Sequence, residues 1–148
     1  MLYQQYKKQA IADLKNYHEL KGSIKNLSQR IKFLQNADLY TGTGYGSKVM
    51  ASRDGDSSMV RHISHIEEME KQLHYTKLYV ANMENALALI SPKEKDILTA
   101  FYINRQRRSV NKLAEETFSD RSWLYRRAQK ALEHYIEIYF GITKDSCS

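Results

Sequence analysis

Apolar residues recur at spacings of three, four and seven over the first part of the chain, which is the pattern of a long amphipathic helix. The series comprises Leu14, Tyr17, Ile24, Leu27, Ile31 and Leu34. It predicts one helix from about Leu2 to Gln35, with polar residues on the remaining faces.

The same periodicity returns from Met59 and predicts a second helix of comparable length. This series comprises Ile63, Ile66, Leu73, Val80, Met83, Leu87 and Ile90. The intervening segment, Ala37 to Ser58, contains four of the six glycines (Gly42, Gly44, Gly46 and Gly55) together with Ser, Thr and Asp. That composition predicts a long flexible loop over about residues 37–58.

Two long amphipathic helices joined by a loop bury their apolar stripes against each other as an antiparallel hairpin or coiled coil. The spacing is equally compatible with a dimer, or with a hairpin whose second face pairs with another chain. Apolar positions beyond a two-helix seam favour self-association, and the sequence therefore predicts a homo-oligomer. These positions are Ile11, Leu20, Ile63 and Met69.

Ser91-Pro92 marks the start of a further helix. Ser is a favoured N-cap, Pro is preorganised for the first helical position, and Glu94 three residues after Ser91 completes a capping box. Ile97, Leu98 and Phe101 supply the apolar face of this helix, which we expect to end near Asn104.

The segment after Asn104 has the features of a helix-turn-helix. Ser109 is the candidate cap of a short helix to about Glu116, in which the small Ala114 permits a close helix crossing. Phe118-Ser119 supplies the turn, and Asp120 or Ser119 caps the second helix. One face of that second helix is expected to be core, and it contains Leu124, Ala128, Ala131, Leu132 and Tyr135.

With Leu124 pointing inward, the opposite face of the second helix is polar, basic and aromatic, as a DNA recognition helix requires. Arg donates bidentately to guanine and Gln to adenine, while flanking cations suit phosphates. The candidates for reading bases are Arg121, Ser122, Tyr125, Arg126 and Gln129. The candidates for binding phosphates are Arg105, Arg107, Arg108, Lys112, Trp123, Arg127 and Lys130. The simpler alternative is a basic surface helix of a plain bundle.

Charge strengthens this interpretation by its location. The net charge of +6 permits a polyanionic partner without requiring one. Eight basic residues lie between Arg105 and Ala131, whereas the same stretch contains only Glu115, Glu116 and Asp120 as acids. The basic density therefore coincides with the predicted helix-turn-helix.

Other chemistries have little support in the sequence. His62, His65 and Glu68 have a spacing seen in metal sites, but two His without further ligands are read as a solvated polar face. Neither a catalytic triad nor a nucleotide-binding loop is recognisable, so we expect no enzymatic activity and no cofactor. The single Cys147 and the lack of a long apolar run or a signal-peptide core favour a cytoplasmic protein without a membrane span.

The order of motifs from Ile90 to Gln106 and from Ser109 to Leu132 resembles region four of bacterial sigma factors. The matching positions are Ile90, Pro92, Glu94, Ile97-Leu98, Tyr102 and Ala131-Leu132. Joined to a long helical N-terminal region, this domain resembles the small phage-encoded transcription regulators of the ArpU and RinA type from Gram-positive hosts. The resemblance implies promoter binding, activation of late phage genes and contact with host RNA polymerase.

The sequence as a whole predicts an all-α protein with a helical hairpin over 1–90, a helix-turn-helix domain over 91–142 and a tail over 143–148. The expected function is sequence-specific binding of double-stranded DNA in transcription regulation. The alternative is a non-enzymatic helical adaptor or scaffold that binds protein partners. That alternative predicts no salt-sensitive affinity for DNA.

Overall fold

A computed structural model describes the backbone of residues 2–44, 52–104, 107–117 and 120–145, with side chains apart from those of 38–44, 52–57 and 107–108. Within these ranges the protein is all-helical and contains no strand, which confirms the predicted fold class. The elements are α1 (Leu2–Lys15), α2 (Tyr17–Gly44), α3 (Ser52–Leu89), α4 (Pro92–Leu98), a π-helical segment (Thr99–Ile103), α5 (Arg107–Thr117) and α6 (Arg121–Phe140).

The first predicted helix is interrupted at Asn16. The Asn16 amide donates to both the Ala12 carbonyl, at 3.0 Å, and the Asp13 carbonyl, at 3.2 Å, and α2 begins one residue later. Asn is a weak helix former because its side chain competes for backbone hydrogen bonds. The prediction of one continuous helix from Leu2 to Gln35 was therefore wrong at this position.

Helical structure also extends into the segment that the glycine content predicted as a loop. α2 continues through residues 37–44, and α3 already begins at Ser52. A glycine inside a helix costs about 1 kcal/mol relative to Ala, so it weakens a helix without forbidding it. The predicted loop over 37–58 is thereby corrected at both ends, and its centre, 45–51, lies outside the described residues.

The chain divides into two compact units. One combines Met1–Glu19 with Val80–Ser148, and the other is Leu20–Tyr79. This division differs from the predicted boundary at Ser91, because α1 packs against α6 and against the π-helical segment. The end of α3 belongs to the same unit, with Met83 fully buried.

Buried apolar side chains of the first unit come from α1, the end of α3, α4 and α6. Its largest fully buried side chains are Leu14, Met83, Leu98, Leu124, Leu132, Tyr135 and Ile136. Aromatic rings extend this core between the first and last helices, since the ring centroids of Tyr6 and Phe140 lie 4.9 Å apart. At the start of α2, the Tyr17 hydroxyl donates to Glu84 Oε1 at 3.0 Å.

The Leu20–Tyr79 unit contains its own apolar cluster, formed by side chains of α2 and α3. Its members are Ile31, Ile66 and Met69, with Leu27, Leu34 and Leu73 packed against them. Gln35 donates to Glu70 Oε1 at 3.3 Å beside the cluster. Met69 was expected outside the helix seam, but it is buried with Ile31, whereas Ile63 is 47% exposed.

None of the helices is both long and apolar enough to span a membrane, within the part of the chain that the structure describes.

Candidate nucleic-acid interface

The start of α6 is fixed by its N-cap. The Asp120 side chain accepts a hydrogen bond from the Trp123 amide at 2.7 Å, which satisfies one of the unpaired N–H groups of the first turn. This confirms Asp120 as the cap, one of the two residues predicted for that role. α6 ends at Phe140, and Gly141 follows in the left-handed conformation (φ 70°) that only glycine adopts at little cost.

The first half of α6 divides sharply into a buried and an exposed face. Between Arg121 and Lys130, only Leu124 and Ala128 are buried. The predicted inner face is confirmed, because Ala131, Leu132 and Tyr135 are buried as well. The outer face presents all eight of the remaining side chains to solvent, and they include the predicted base-reading residues Arg121, Ser122, Tyr125, Arg126 and Gln129.

A second group of exposed side chains lies beside the first along α6. Trp123, Arg126, Arg127, Gln129, Lys130 and Glu133 line a shallow surface groove. The Arg127 guanidinium carbon lies 4.8 Å from the centroid of the Trp123 ring, a cation–π contact that restricts both side chains. The predicted phosphate-binding residues Trp123, Arg127 and Lys130 are therefore adjacent on one exposed strip.

The other edge of α6 borders a second groove within the first unit. Its walls come from α1, the π-helical segment, α5 and α6, and its lining residues are Lys7, Ala100, Phe101, Tyr102, Val110, Arg121, Tyr125, Ala128, Gln129 and Leu132. The ring centroids of Phe101 and Tyr125 lie 5.1 Å apart, so this contact holds Tyr125 at the groove edge. Burial raises the pKa of the Tyr102 hydroxyl, because desolvation disfavours the phenolate.

α5 packs against both α6 and the π-helical segment, with Val110, Leu113 and Ala114 half-buried. Ser109 was predicted to cap this helix, but α5 already begins at Arg107. The Ser109 hydroxyl instead donates to the Asn104 carbonyl at 2.9 Å, so it ties α5 to the end of the preceding helical segment.

The predicted phosphate-binding residues outside α6 differ in how far the structure describes them. Lys112 is exposed on α5, and its Nζ lies 4.0 Å from Glu116 Oε1 one helical turn away. Arg107 and Arg108 belong to the first turn of α5, and their side chains lie outside the described part of the protein. Arg105 and the predicted turn, Phe118-Ser119, also lie outside the described residues.

A local hydrogen-bond network positions α4 against α6. Ser91 caps α4 through the Glu94 amide, and Glu94 in turn accepts from the Ser91 amide at 3.1 Å, which confirms the predicted capping box. His134 of α6 donates to the same Glu94 carboxylate at 3.0 Å. Burial raises the pKa of Glu94, but the hydrogen bonds from Ser91 and His134 outweigh it and lower the pKa below its ordinary value of 4.5.

His62 and His65 of α3 are not part of a group of side chains that could hold a metal ion, among the described residues. His62 is half-buried with Nε2 3.3 Å from the Leu34 carbonyl oxygen, and His65 and Glu68 are exposed. Among the residues that the structure describes, no group of three or more His, Cys, Asp or Glu side chains is placed to hold a metal ion.

Lys7 is the residue near α6 that sequence reasoning missed. It was assigned to the predicted hairpin, yet it lines the same groove as Arg121 and Gln129. No local sequence pattern identifies such a neighbour, because its position follows from the packing of α1 against α6.

Comparison of the chain with family models, with curated proteins and with solved structures finds no match in any of the three.

Proposed function

We propose that this protein is a sequence-specific regulator of transcription that binds double-stranded DNA through a helix-turn-helix, with α5 as supporting helix and α6 as recognition helix. One observation carries the proposal. The exposed face of α6 between Arg121 and Lys130 contains four cations and no acid, while its opposite face is anchored in the core by Leu124 and Ala128. A rigidly held cationic and aromatic helix face matches the dimensions and charge of a DNA major groove.

The N-terminus of α6 has a basic residue where the helix dipole disfavours one. The N-terminal end of a helix carries a partial positive charge, so a basic residue in the first turn is unfavourable for the helix itself. α6 nevertheless begins with Arg121 and has no acidic residue in its first turn. The Asp120 carboxylate already caps this helix terminus, so Arg121 is the group here that can attract a DNA phosphate or a guanine edge.

The proposal includes a division of labour along α6. Arg126, Gln129 and Ser122 read base edges, because they project from the side opposite the buried Leu124. Trp123, Arg127 and Lys130 contact the phosphate backbone, and the stacking of Arg127 on Trp123 reduces the entropy lost on binding. Lys112 of α5 contributes a further phosphate contact.

We further propose that the long helices α2 and α3 pair as an antiparallel hairpin and that two copies of the chain associate through it. The shared cluster of Ile31, Ile66 and Met69 supports the pairing. Self-association is supported by Met59, Val60 and Ile63, which lie at helical spacing on α3 and are 57%, 63% and 47% exposed. A dimer presents two recognition helices to repeated half-sites, and so gains affinity.

The biological setting of the proposal comes from the resemblance of Ile90 to Gln106 and Ser109 to Leu132 to sigma region four. Under this proposal the protein acts in the cytoplasm of a bacterial host as an activator of phage late genes. It would contact host RNA polymerase at the promoters to which it binds.

The decisive experiment is selection of bound fragments from random double-stranded DNA, followed by affinity measurements on the recovered site at several salt concentrations. We expect an enriched motif and an affinity that falls steeply with salt. An Arg121→Ala/Arg126→Ala variant should lose the motif, whereas the matched variant Lys71→Ala/Lys77→Ala, with two exposed cations of α3 replaced, should retain it. Recovery of no motif, together with affinity that salt does not affect, would favour the adaptor function instead.

A further inference from the structure

We infer that the N-terminal helix α1 is part of the DNA-binding surface, and that Lys7 holds a backbone phosphate beside the recognition helix. This inference rests on the proposed function and extends it to a helix that the sequence assigned to the hairpin. It identifies a contact on the flank of α6, at the edge that faces α1 and the π-helical segment.

The groove that contains Lys7 is suited to an anionic partner. Among the residues that the structure describes, the charged side chains that line it are Lys7 and Arg121, none of the lining residues is acidic, and Gln129 adds a neutral amide donor. Aromatic rings add apolar lining, since Phe101 and Tyr125 are in ring contact and Tyr102 is half-buried. Two cations beside apolar walls attract an anion more strongly than the same charges on a fully solvated surface, because low-dielectric walls focus their field.

Packing of α1 holds Lys7 in place. Ala10 and Leu14 of the same helix are fully buried, and the neighbouring Tyr6 contacts Phe140. Lys7 itself is half-buried, whereas Lys8 is exposed and does not line the groove. Lys7 is therefore partly covered by the protein while it lines the groove, which suits a lysine that packs its methylene stem and offers its ammonium group to a ligand.

A DNA phosphate is the occupant that the geometry favours. The groove runs along the Arg121 and Tyr125 edge of α6 and ends at Gln129, which belongs to the face proposed to enter the major groove. The sides of a helix in the major groove meet the sugar–phosphate backbone rather than base edges. Lysine binds phosphate as a point charge and carries little sequence information, so Lys7 should contribute affinity without specificity.

The test measures dissociation constants for the selected site and for random DNA between 50 and 200 mM salt. Loss of one phosphate contact lowers the steepness of log K against log salt by about 0.9 and weakens binding by about 5- to 10-fold at 0.1 M salt. We expect Lys7→Gln to show both effects equally on the two DNAs. Lys7→Arg should restore most of the affinity, and the matched control Lys8→Gln should leave the salt dependence unchanged.

Two controls test whether the variants still fold. Lys7→Met keeps an apolar stem and removes the charge, and thermal unfolding is measured for each variant. Wild-type salt dependence in both Lys7→Gln and Lys7→Met overturns the inference while leaving the proposed function intact. Salt-insensitive or absent DNA binding by the wild-type protein overturns both. An acidic peptide such as polyglutamate is the competing occupant. If Lys7→Gln weakens only polyglutamate binding, and DNA binding is unchanged, the groove is a protein-docking site and the inference is wrong.

Discussion

His134 Nδ1 lies 3.0 Å from Glu94 Oε1 and 3.2 Å from Glu94 Oε2, so one histidine bridges both oxygens of the carboxylate that closes the α4 capping box. The contact joins residues that are 40 positions apart in the chain. It links the N-terminal end of α4 to the second half of α6, the helix proposed to bind DNA.

This contact predicts an acid-sensitive contribution to stability from Glu94. Its pKa is lowered in the folded state, so its stabilisation is fully present above the unfolded-state pKa near 4.5 and is lost as the pH falls through the lowered value. Glu94→Gln should therefore reduce the free energy of unfolding by about 0.2–1 kcal/mol at pH 5.5. Urea unfolding from about pH 5.5 to 3 should show the difference from wild type shrinking as the pH falls.

Glu94→Ala is the control that separates the charge from the cap. Gln still closes a capping box, whereas Ala removes the hydrogen bond to the Ser91 amide as well as the contact with His134. Part of the Glu94→Ala destabilisation should therefore persist at low pH. The difference in the free energy of unfolding between wild type and Glu94→Gln could instead stay constant from pH 5.5 to 3. That result would show that the ionised carboxylate does not contribute to stability.

Leu124 anchors the proposed recognition helix, and its side chain is fully buried. Leu124→Ala removes buried methyl groups and leaves a cavity, which should lower the free energy of unfolding by about 2–5 kcal/mol. Chemical denaturation monitored by circular dichroism measures the loss. Ser122→Ala, two residues away on the exposed face, should change stability by less than about 0.5 kcal/mol. Equal stability of the two variants would mean that α6 packs through another face.

Leu14 makes the corresponding prediction for α1, because it is also fully buried. Leu14→Ala should lower the free energy of unfolding by about 2–5 kcal/mol, even though it lies more than 100 residues from the α6 residues in its unit. The matched control is the exposed Lys15→Ala. If Leu14→Ala unfolds at the wild-type denaturant concentration, α1 is not part of the unit that contains α6.

Arg126 distinguishes base reading from phosphate binding. Arg126→Ala should weaken binding to the selected DNA site by about 1–3 kcal/mol and relax the preference at one base pair, because the proposed recognition mode assigns this exposed side chain to a base edge. Lys112→Ala should instead weaken binding to selected and random DNA about equally. Competition binding with a set of single-base variants measures both effects. An equal loss on all sequences for Arg126→Ala would assign this residue to phosphate contacts.

The exposed apolar residues of α3 predict how copies of the chain associate. Ile63→Asp places a charge next to the exposed apolar residues Met59 and Val60. It should convert the proposed dimer to a monomer in sedimentation at micromolar concentration. Tyr75→Asp is the control, since Tyr75 is 69% exposed but lies about 18 Å further along α3 and is rotated by about 120° from Ile63. A wild-type protein that sediments as a monomer at this concentration contradicts the proposed dimer, and equal dissociation by both variants contradicts the proposed contact face.

Features that depend on neighbours three or four residues apart were predictable from the sequence. The Ser91–Glu94 capping box, the Asp120 cap and the buried face of α6 all follow from helix periodicity and from short side-chain reach, and all three are confirmed. Such features are local, because the residues that form them are fixed by the helix itself. The Asn16 break and the helical ends of the glycine-rich segment were missed, since weak propensities are easily overridden.

Features that depend on distant contacts were not predictable. The placement of Lys7 beside Arg121 and the contact of His134 with Glu94 both require knowledge of which helices pack together. Apolar periodicity identified Leu14 as a buried residue but not its partners, and it assigned the whole of 1–90 to the hairpin. A periodic apolar stripe indicates that one face of a helix is buried, but it does not indicate which element covers that face.

The division of the chain into two compact units also determines the order in which its parts can fold. Leu20–Tyr79 draws only on nearby residues, so its contacts close short loops and can form early. The other unit needs both Met1–Glu19 and the residues after Val80. During synthesis, Ala10 and Leu14 of α1 therefore stay uncovered until α6, against which α1 packs, has left the ribosome.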